Sequence, residues 1–320
     1  MIAVLCGGVG AARFLRALAG VVPATDVIGI VNTADDTVMH GLSISPDLDT
    51  IVYTLASAID PERGWGLRDE SWRAMEALVR YADVRPVGST AAPTWFNLGD
   101  QDLATHFYRT ARLAEGATLT AATAEIAAAW GVQQRLLPMT DDRVATIVGL
   151  RDDDSEISFQ EYFVQRHHGV PVRSIRFDGA DSARLSESAR ESLVAAESVV
   201  IAPSNPVVSI GPIRALRGVD ELLSARRDTV AAISPIIGGA ALKGPADRML
   251  VELGHESSVV GVARLYAPVA SVLVIDPADA HLADQVETEG MRAVVVESVM
   301  STPEIGHELA RRTLTAISDR

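Results

Sequence analysis

Gly7-Gly8-Val9-Gly10 stands directly after a short apolar run and directly before an amphipathic helical pattern. Glycines at such a junction let the backbone turn tightly and approach an anion, and the free N–H groups at a helix start attract negative charge. Arg13, one turn further on, is placed to reach the same anion. A dinucleotide turn would carry a third glycine where Arg13 stands, so the segment reads as a phosphate loop rather than an NAD loop. The plain alternative is a tight strand–helix turn with no ligand. Asn32-Thr33-Ala34-Asp35-Asp36 then brings paired carboxylates to the end of a second apolar run. A lone acid there commonly reads ribose hydroxyls, whereas a pair beside a phosphate suits a hard divalent ion; either acid could instead cap a helix. In Ser45-Pro46-Asp47-Leu48-Asp49-Thr50 the two acids alternate, and would share one side of an extended segment or cap the helix expected over residues 51–58. Asp35, Asp36, Asp47 and Asp49 together make magnesium-assisted phosphoryl chemistry the expectation.

Further segments supply polar groups. Asp100, Gln101 and Asp102 open a helix, where acids favour the dipole and capping alone would explain them. Ser204 and Asn205 lie between Pro203 and Pro206, which fix that loop, and Ser234-Pro235-Ile236-Ile237-Gly238-Gly239 repeats the style. Both suit a nucleotide held by backbone groups. His167 and His168 are adjacent, not at the i, i+4 spacing of a helical metal pair, and Cys6 reads as core. Trp65 and Trp72 are either core or the walls of a flat ring ligand.

The elements that must position these groups are short strands alternating with helices. Apolar runs at 2–5, 27–31, 198–202, 230–233, 272–275 and 293–296 lack alternation, as strands buried on both faces do. Helical patterns lie between them, for instance over 11–22, where Phe14, Leu15, Leu18 and Val22 share a face. The fold class is therefore α/β, a Rossmann-like open and mostly parallel sheet. Residues 1–55 and 190–320 are expected to form this core, and 56–189 an inserted, largely helical subdomain covering the acceptor site. Within the insertion, helices are expected over 69–81 and 103–130, broken near Gly116, with a hairpin over 145–150 and 156–163. Open α/β sheets bind ligands at the carboxyl ends of their strands, which puts the glycine, acid and proline loops on one rim.

Composition bounds the chemistry. Of 320 residues, 48% are hydrophobic and 22% charged, a globular mixture. The net charge of −14 argues against a nucleic-acid partner and obliges any anionic substrate to be met by local cations, helix starts or a metal. One cysteine excludes an internal disulfide framework. No run is long and apolar enough for a membrane span, and the opening segment lacks the features of a signal peptide, so a cytoplasmic setting is expected. Lysine occurs once, at Lys243.

The ordered motifs resemble one family. Gly-Gly-Val-Gly, Asn-Thr-Ala-Asp-Asp, His40-Gly41-Leu42, Ser-Pro-Asp-Leu-Asp-Thr, Arg63-Gly64-Trp65-Gly66, Leu-Gly-Asp-x-Asp-Leu-Ala-Thr-His, Leu137-Pro138-Met139-Thr140-Asp141-Asp142, Phe159-Gln160-Glu161, Pro-Ser-Asn-Pro and Ser-Pro-Ile-Ile-Gly are similar to the 2-phospho-L-lactate transferases of coenzyme F-420 biosynthesis. The resemblance implies a magnesium-dependent transfer of a phospholactyl or phosphoenolpyruvyl group from a guanosine-diphospho donor to the 5′-hydroxyl of the deazaflavin Fo, releasing GMP. It further implies metal binding by Asp35, Asp36 and Asp49, a catalytic or acceptor role for Asp49 beside Asp47, and a diphosphate against Gly7, Gly8, Gly10 and Arg13. Asn32, Asp100 and Gln101 would join the ligand contacts. The guanosine would lie near Ser204, Asn205, Pro206, Ser234 and Gly238, and the enzyme would be a homodimer. Many relatives carry Arg where Gln101 stands; Gln keeps hydrogen bonding but loses a permanent cation. The rival readings are a sugar-nucleotide-binding regulator of the gluconeogenesis-factor type, which would not need the Ser-Pro-Asp-Leu-Asp-Thr segment, and an NAD-dependent oxidoreductase, disfavoured by Arg13.

Overall fold

The apolar runs pair as expected. In a computed structural model describing residues 1–319, seven strands form one sheet: β1 (Ile2–Cys6), β2 (Val27–Val31), β3 (Arg135–Pro138), β4 (Ser198–Ile201), β5 (Val230–Ile233), β6 (Val272–Ile275) and β7 (Arg292–Val295). Their order across the sheet is β7-β6-β5-β4-β1-β2-β3, and every neighbouring pair is parallel. Successive residues feed opposite faces: Ala3, Leu5, Ile28 and Ile30 pack into one core layer, while Val4, Cys6, Val27 and Val31 pack into the other. Burying each such Leu or Ile is worth about 1.5–3 kcal/mol, which is why these runs carry no polar face.

Helices cover both layers. The second layer receives α1 (Gly8–Ala19) through Phe14, Leu15 and Leu18, and α2 (Pro46–Leu55) through Leu48, Ile51 and Val52. Chain order reverses between β1 and β4, so their carboxyl ends open a crevice at the topological switch point. Residues 7–10 follow β1 and residues 203–206 follow β4, so two of the loops singled out in the sequence border that crevice.

Between β2 and β4 the expected boundaries need correction. Strand β3 lies inside the stretch 56–189 yet pairs with β2, and α5 (Leu119–Ala129) packs Ile126 into the second core layer. The region thus makes two departures from the sheet rather than one. The first holds α3 (Arg73–Ala82) and α4 (Asp102–Ala114), the latter separated from α5 near Gly116 as expected. The second holds an antiparallel sheet of Ala145–Leu150, Glu156–Ser158 and Val172–Asp178. The expected hairpin forms, but its second strand stops at Ser158, a π-helical turn spans Glu161–Gln165, and the third strand was not anticipated. No helix among the described residues is long and apolar enough to cross a membrane.

Candidate active site

The glycines of the first loop answer backbone conformation at Gly8 and close approach at Gly7 and Gly10. Gly8 has φ +74°, a left-handed conformation that favours glycine. A side chain on Gly7 would begin 2.6 Å from Asp47 Oδ2 and 3.3 Å from Asn32 Cβ; on Gly10 it would begin 2.4 Å from the Pro203 carbonyl oxygen. The Gly7 N–H donates to Ser204 Oγ at 3.3 Å, and that hydroxyl donates back to the Gly7 carbonyl at 2.9 Å. Ser204 thereby laces the β1 and β4 loops together across the switch point. The start of α1 carries no side-chain cap within its own turn and no acid in its first turn; the one carboxylate against it is Asp47, which accepts from the Gly8 N–H.

Against this loop lies a buried group of carboxylates. The Asn32 amide, itself fully buried, lies 3.0 Å from both Asp35 Oδ2 and Asp47 Oδ2, and its Oδ1 accepts from the Ala34 N–H. Asp36 accepts from the Ser45 hydroxyl at 2.5 Å. Burial pushes Asp47 up to about 6, with hydrogen bonds from Asn32 and the Gly8 N–H pulling the other way. Burial likewise drives Asp35 and Asp36 well above the usual carboxylate range, reinforced at Asp35 by the charge of Asp47 and opposed at Asp36 by the Ser45 hydrogen bond. Asp35 Oδ1 and Asp36 Oδ1 are buried without a hydrogen-bond partner. Orphaned carboxylate oxygens in a desolvated cluster are costly unless a cation meets them. An all-oxygen donor set of this kind fits magnesium.

The sequence treated Asp47 and Asp49 as sharing a side, but the structure divides them. Both lie in the first turn of α2, where a helical rather than extended backbone turns them apart. Asp47 faces the glycine loop, while Asp49 faces α4. There Arg109, only 1% exposed, engages both Asp49 oxygens, one through Nη1 at 3.1 Å and the other through Nη2. Asp49 is raised by burial against the lowering charge of Arg109. His106 Nδ1 lies 3.7 Å from Asp49 and its Nε2 lies 3.2 Å from Asp102, which also accepts from Tyr53 Oη at 2.6 Å. Burial acts to raise Asp102, but the His106 and Tyr53 contacts outweigh it and hold it low. Asp49, Asp102 and His106 also place ligand atoms within 4.8 Å of one another. The trio Asp35, Asp36 and Asp49 is therefore not presented as one open set, because Asp49 is occupied by Arg109.

Other singled-out residues are placed as follows. Asp100 is exposed and accepts from the N–H and hydroxyl of Ser71, and Gln101 beside it is exposed too. Asn205 caps the turn that begins at buried Pro206, accepting from Val207 and Val208 N–H groups. Ser234 closes a turn onto Ile236, and the Gly238 N–H donates to Asp279 at 2.9 Å. Arg13 lines a cavity beside α1. Trp65 and Trp72 flank the Arg63 guanidinium, 5.4 and 5.1 Å from their ring centroids. Cys6 is core, and burial raises its thiol. His168 packs on Phe163 rather than pairing with His167 at a metal position.

Sequence reasoning missed Arg109 and the roles of Asp102 and His106, although their i, i+4, i+7 spacing puts all three on one face of α4. It also missed that Gln160, 5% exposed, donates to the Asp35 carbonyl at 2.8 Å and ties the small sheet to the acid loop.

Comparison with known proteins gives a consistent result. The family described as 2-phospho-L-lactate transferase CofD matches residues 2–314. A Kitasatospora aureofaciens protein named phosphoenolpyruvate transferase is 40% identical over 317 residues, covering 98% of this chain and 96% of its own. Proteins of the same name from Streptomyces griseus and Nocardia farcinica are 40% and 39% identical, covering 98% of this chain and 97% and 93% of theirs. Two crystal structures of a Bacillus halodurans protein, described in one of them as a member of the UPF0052 family, share the fold. Their TM-scores are 0.63 and 0.61 at 11% and 12% identity, over 98% of both chains.

Proposed function

Because the chain belongs to the 2-phospho-L-lactate transferase family, we propose that it transfers a phosphoenolpyruvyl group from a guanosine-diphospho donor to the 5′-hydroxyl of the deazaflavin Fo in coenzyme F-420 biosynthesis. The observation that carries the reading is the packing of Asp47 against the glycine loop, beside the unpartnered oxygens of Asp35 and Asp36. That arrangement sets a cation-holding acid group against an anion-holding helix start. The enolpyruvyl rather than lactyl donor is favoured by the name that the relatives from Kitasatospora, Streptomyces and Nocardia share.

In the proposed reaction the Fo hydroxyl oxygen attacks the donor phosphorus bearing the enolpyruvyl group. The new P–O bond forms as the bond to the GMP oxygen breaks, and GMP leaves. The N–H groups at the start of α1 beyond the one that Asp47 engages would hold the diphosphate, while Gly7 and Gly10 let Asp47 and the Pro203 loop close in beside it. Asp35, Asp36 and Asp47 would hold magnesium, which when bound neutralises diphosphate charge. Asp47, pushed up to about 6 by burial against its hydrogen bonds from Asn32 and the Gly8 N–H, is suited to accept the hydroxyl proton near neutral pH. Asp49 acts through Arg109 and α2, keeping the N-terminal turn of that helix, and so Asp47, in place.

The test is a titration with Fo followed by deazaflavin fluorescence, with and without magnesium and GDP, and then mass analysis after adding the enolpyruvyl donor. Saturable Fo binding and a product heavier by the phosphoenolpyruvyl group, with one GMP released per product, are expected. Release of GMP without Fo consumption would refute the transfer.

A further inference from the structure

Beside the glycine loop, on the outer side of α1, lies a cavity of about 250 Å³ whose lining includes Val9, Arg13, Arg16, Gly64 and Arg68. Val9, Arg13 and Arg16 follow one another at i, i+4, i+7, so the cavity runs from the anion loop down one face of the helix. The ammonium of Lys243, the single lysine of the chain, lies 2.8 Å from where a side chain on Gly64 would begin, at the same wall. Among the described residues none of these four cations forms an ion pair. Arg63, in the same segment, is by contrast neutralised by Asp60 at 3.2 Å and Glu70 at 3.1 Å. The one acid in the lining, Asp60, is already engaged by that arginine and by the Glu62 and Arg63 N–H groups. A chain of net charge −14 thus gathers in one recess, next to its glycine loop, cations that no ion pair satisfies, with Arg68 acting on Asp60 only through space.

We propose that this recess is the subsite for the carboxylate of the group being transferred, with Arg13 and Arg68 as its principal contacts and Arg16 and Lys243 adding positive field. The inference rests on the donor reading above. The diphosphate has its own partners in the α1 N–H groups and the acid-held cation, so the donor's remaining anionic group is the carboxylate. It hangs from the phosphorus by a short link, and Val9 in the recess lining belongs to the very loop proposed to hold that phosphate. Guanidinium forks suit a carboxylate, and hydrogen bonds between two charged partners are among the stronger ones.

The experiment compares equilibrium binding of two guanosine-diphosphate esters, one carrying lactate and one carrying ethanol in its place, to the full-length protein in magnesium. Wild type is expected to bind the lactyl ester at least about tenfold tighter, the worth of one or two charge-assisted hydrogen bonds. Arg68→Met is expected to erase most of that preference with little change in the ethyl ester's Kd, and Arg68→Lys to keep part of it. Arg13→Met is expected to erase the preference as well, whatever it does to both esters together. An undiminished preference in Arg68→Met and Arg13→Met, each shown folded by its unfolding transition, overturns the subsite. Binding of neither ester by wild type overturns the donor reading and the subsite with it, which separates the two failures.

Discussion

Stripping the divalent cation at neutral pH should destabilise the protein, and acid should give back what the cation supplied. The magnitude follows from Asp47. Burial lifts its pKa from 3.8 to about 6 in the fold, and that difference corresponds to roughly 3 kcal/mol against the ionised form. The folded value lies above the unfolded one, so the fold favours the neutral acid. Its contribution is fully present below about pH 4 and is lost as the pH rises through about 6. Asp35 and Asp36 are displaced in the same direction, so they add to the effect. A bound cation replaces the proton as counter-charge and is therefore most stabilising where the acids are ionised. With an unfolding entropy of ~2.1 cal/mol/K per residue, ~3 kcal/mol amounts to a Tm change of about 4 °C for a chain of this length. The assay is calorimetry of metal-stripped and magnesium-saturated protein at about pH 7.5 and about pH 5, on wild type and Asp47→Asn. The magnesium-induced rise should be large at the higher pH, small at the lower, and reduced by about 4 °C in Asp47→Asn at the higher pH. A rise equal at both pH values, or undiminished in the variant, would refute the reasoning.

Three other substitutions probe the framework. Asp49→Asn leaves the buried Arg109 charge without a carboxylate; urea unfolding should show a loss of about 3–5 kcal/mol along with most turnover. Gly10→Ala drives a methyl to within 2.4 Å of the Pro203 carbonyl. It should lower Tm by several degrees and weaken GDP binding, and normal GDP affinity would show that the loop does not need this approach. Gln160→Ala removes the buried donor to the Asp35 carbonyl and should cost about 1–3 kcal/mol of stability in urea.

The parts of the fold that were legible are those in which burial on both faces writes itself as an unbroken apolar run, such as Val27–Val31. Strand β3 hid because it occupies the sheet edge, opening with exposed Arg135 and closing on Pro138, which an edge tolerates and a central strand does not. Arg73–Ala82 starts later than expected because Ser71 is drawn onto Asp100 and Trp72 onto Arg63, both contacts across the chain. The glycine loop was legible as a tight strand–helix junction by type, whereas the reason for Gly10 lies in a carbonyl almost two hundred residues away, which no local pattern contains.

The same limit explains the candidate site. Asp35, Asp36, Asp47 and Asp49 stood out because acids crowd a short stretch, yet crowding says nothing about which acid is compensated. That depends on Arg109, whose residue type in mid-helix is ordinary and whose burial only the packing of α4 on α2 reveals. Asp100 and Asp102 were indistinguishable in sequence; one turned out to hold Ser71 at the surface, the other to join His106 and Tyr53 inside. Compensation also clarifies the net charge of −14. The chain sets acids without enough cations beside the start of α1 and cations without acids in the recess along its side. Arg109 is bound to Asp49 and reaches Asp36 only through space, so in the proposed reading the deficit at Asp35, Asp36 and Asp47 is left for a metal, and the cations at Arg13, Arg16 and Arg68 for a substrate anion. The proposed donor, bringing a diphosphate, a carboxylate and its cation, would match both halves of this charge pattern at once.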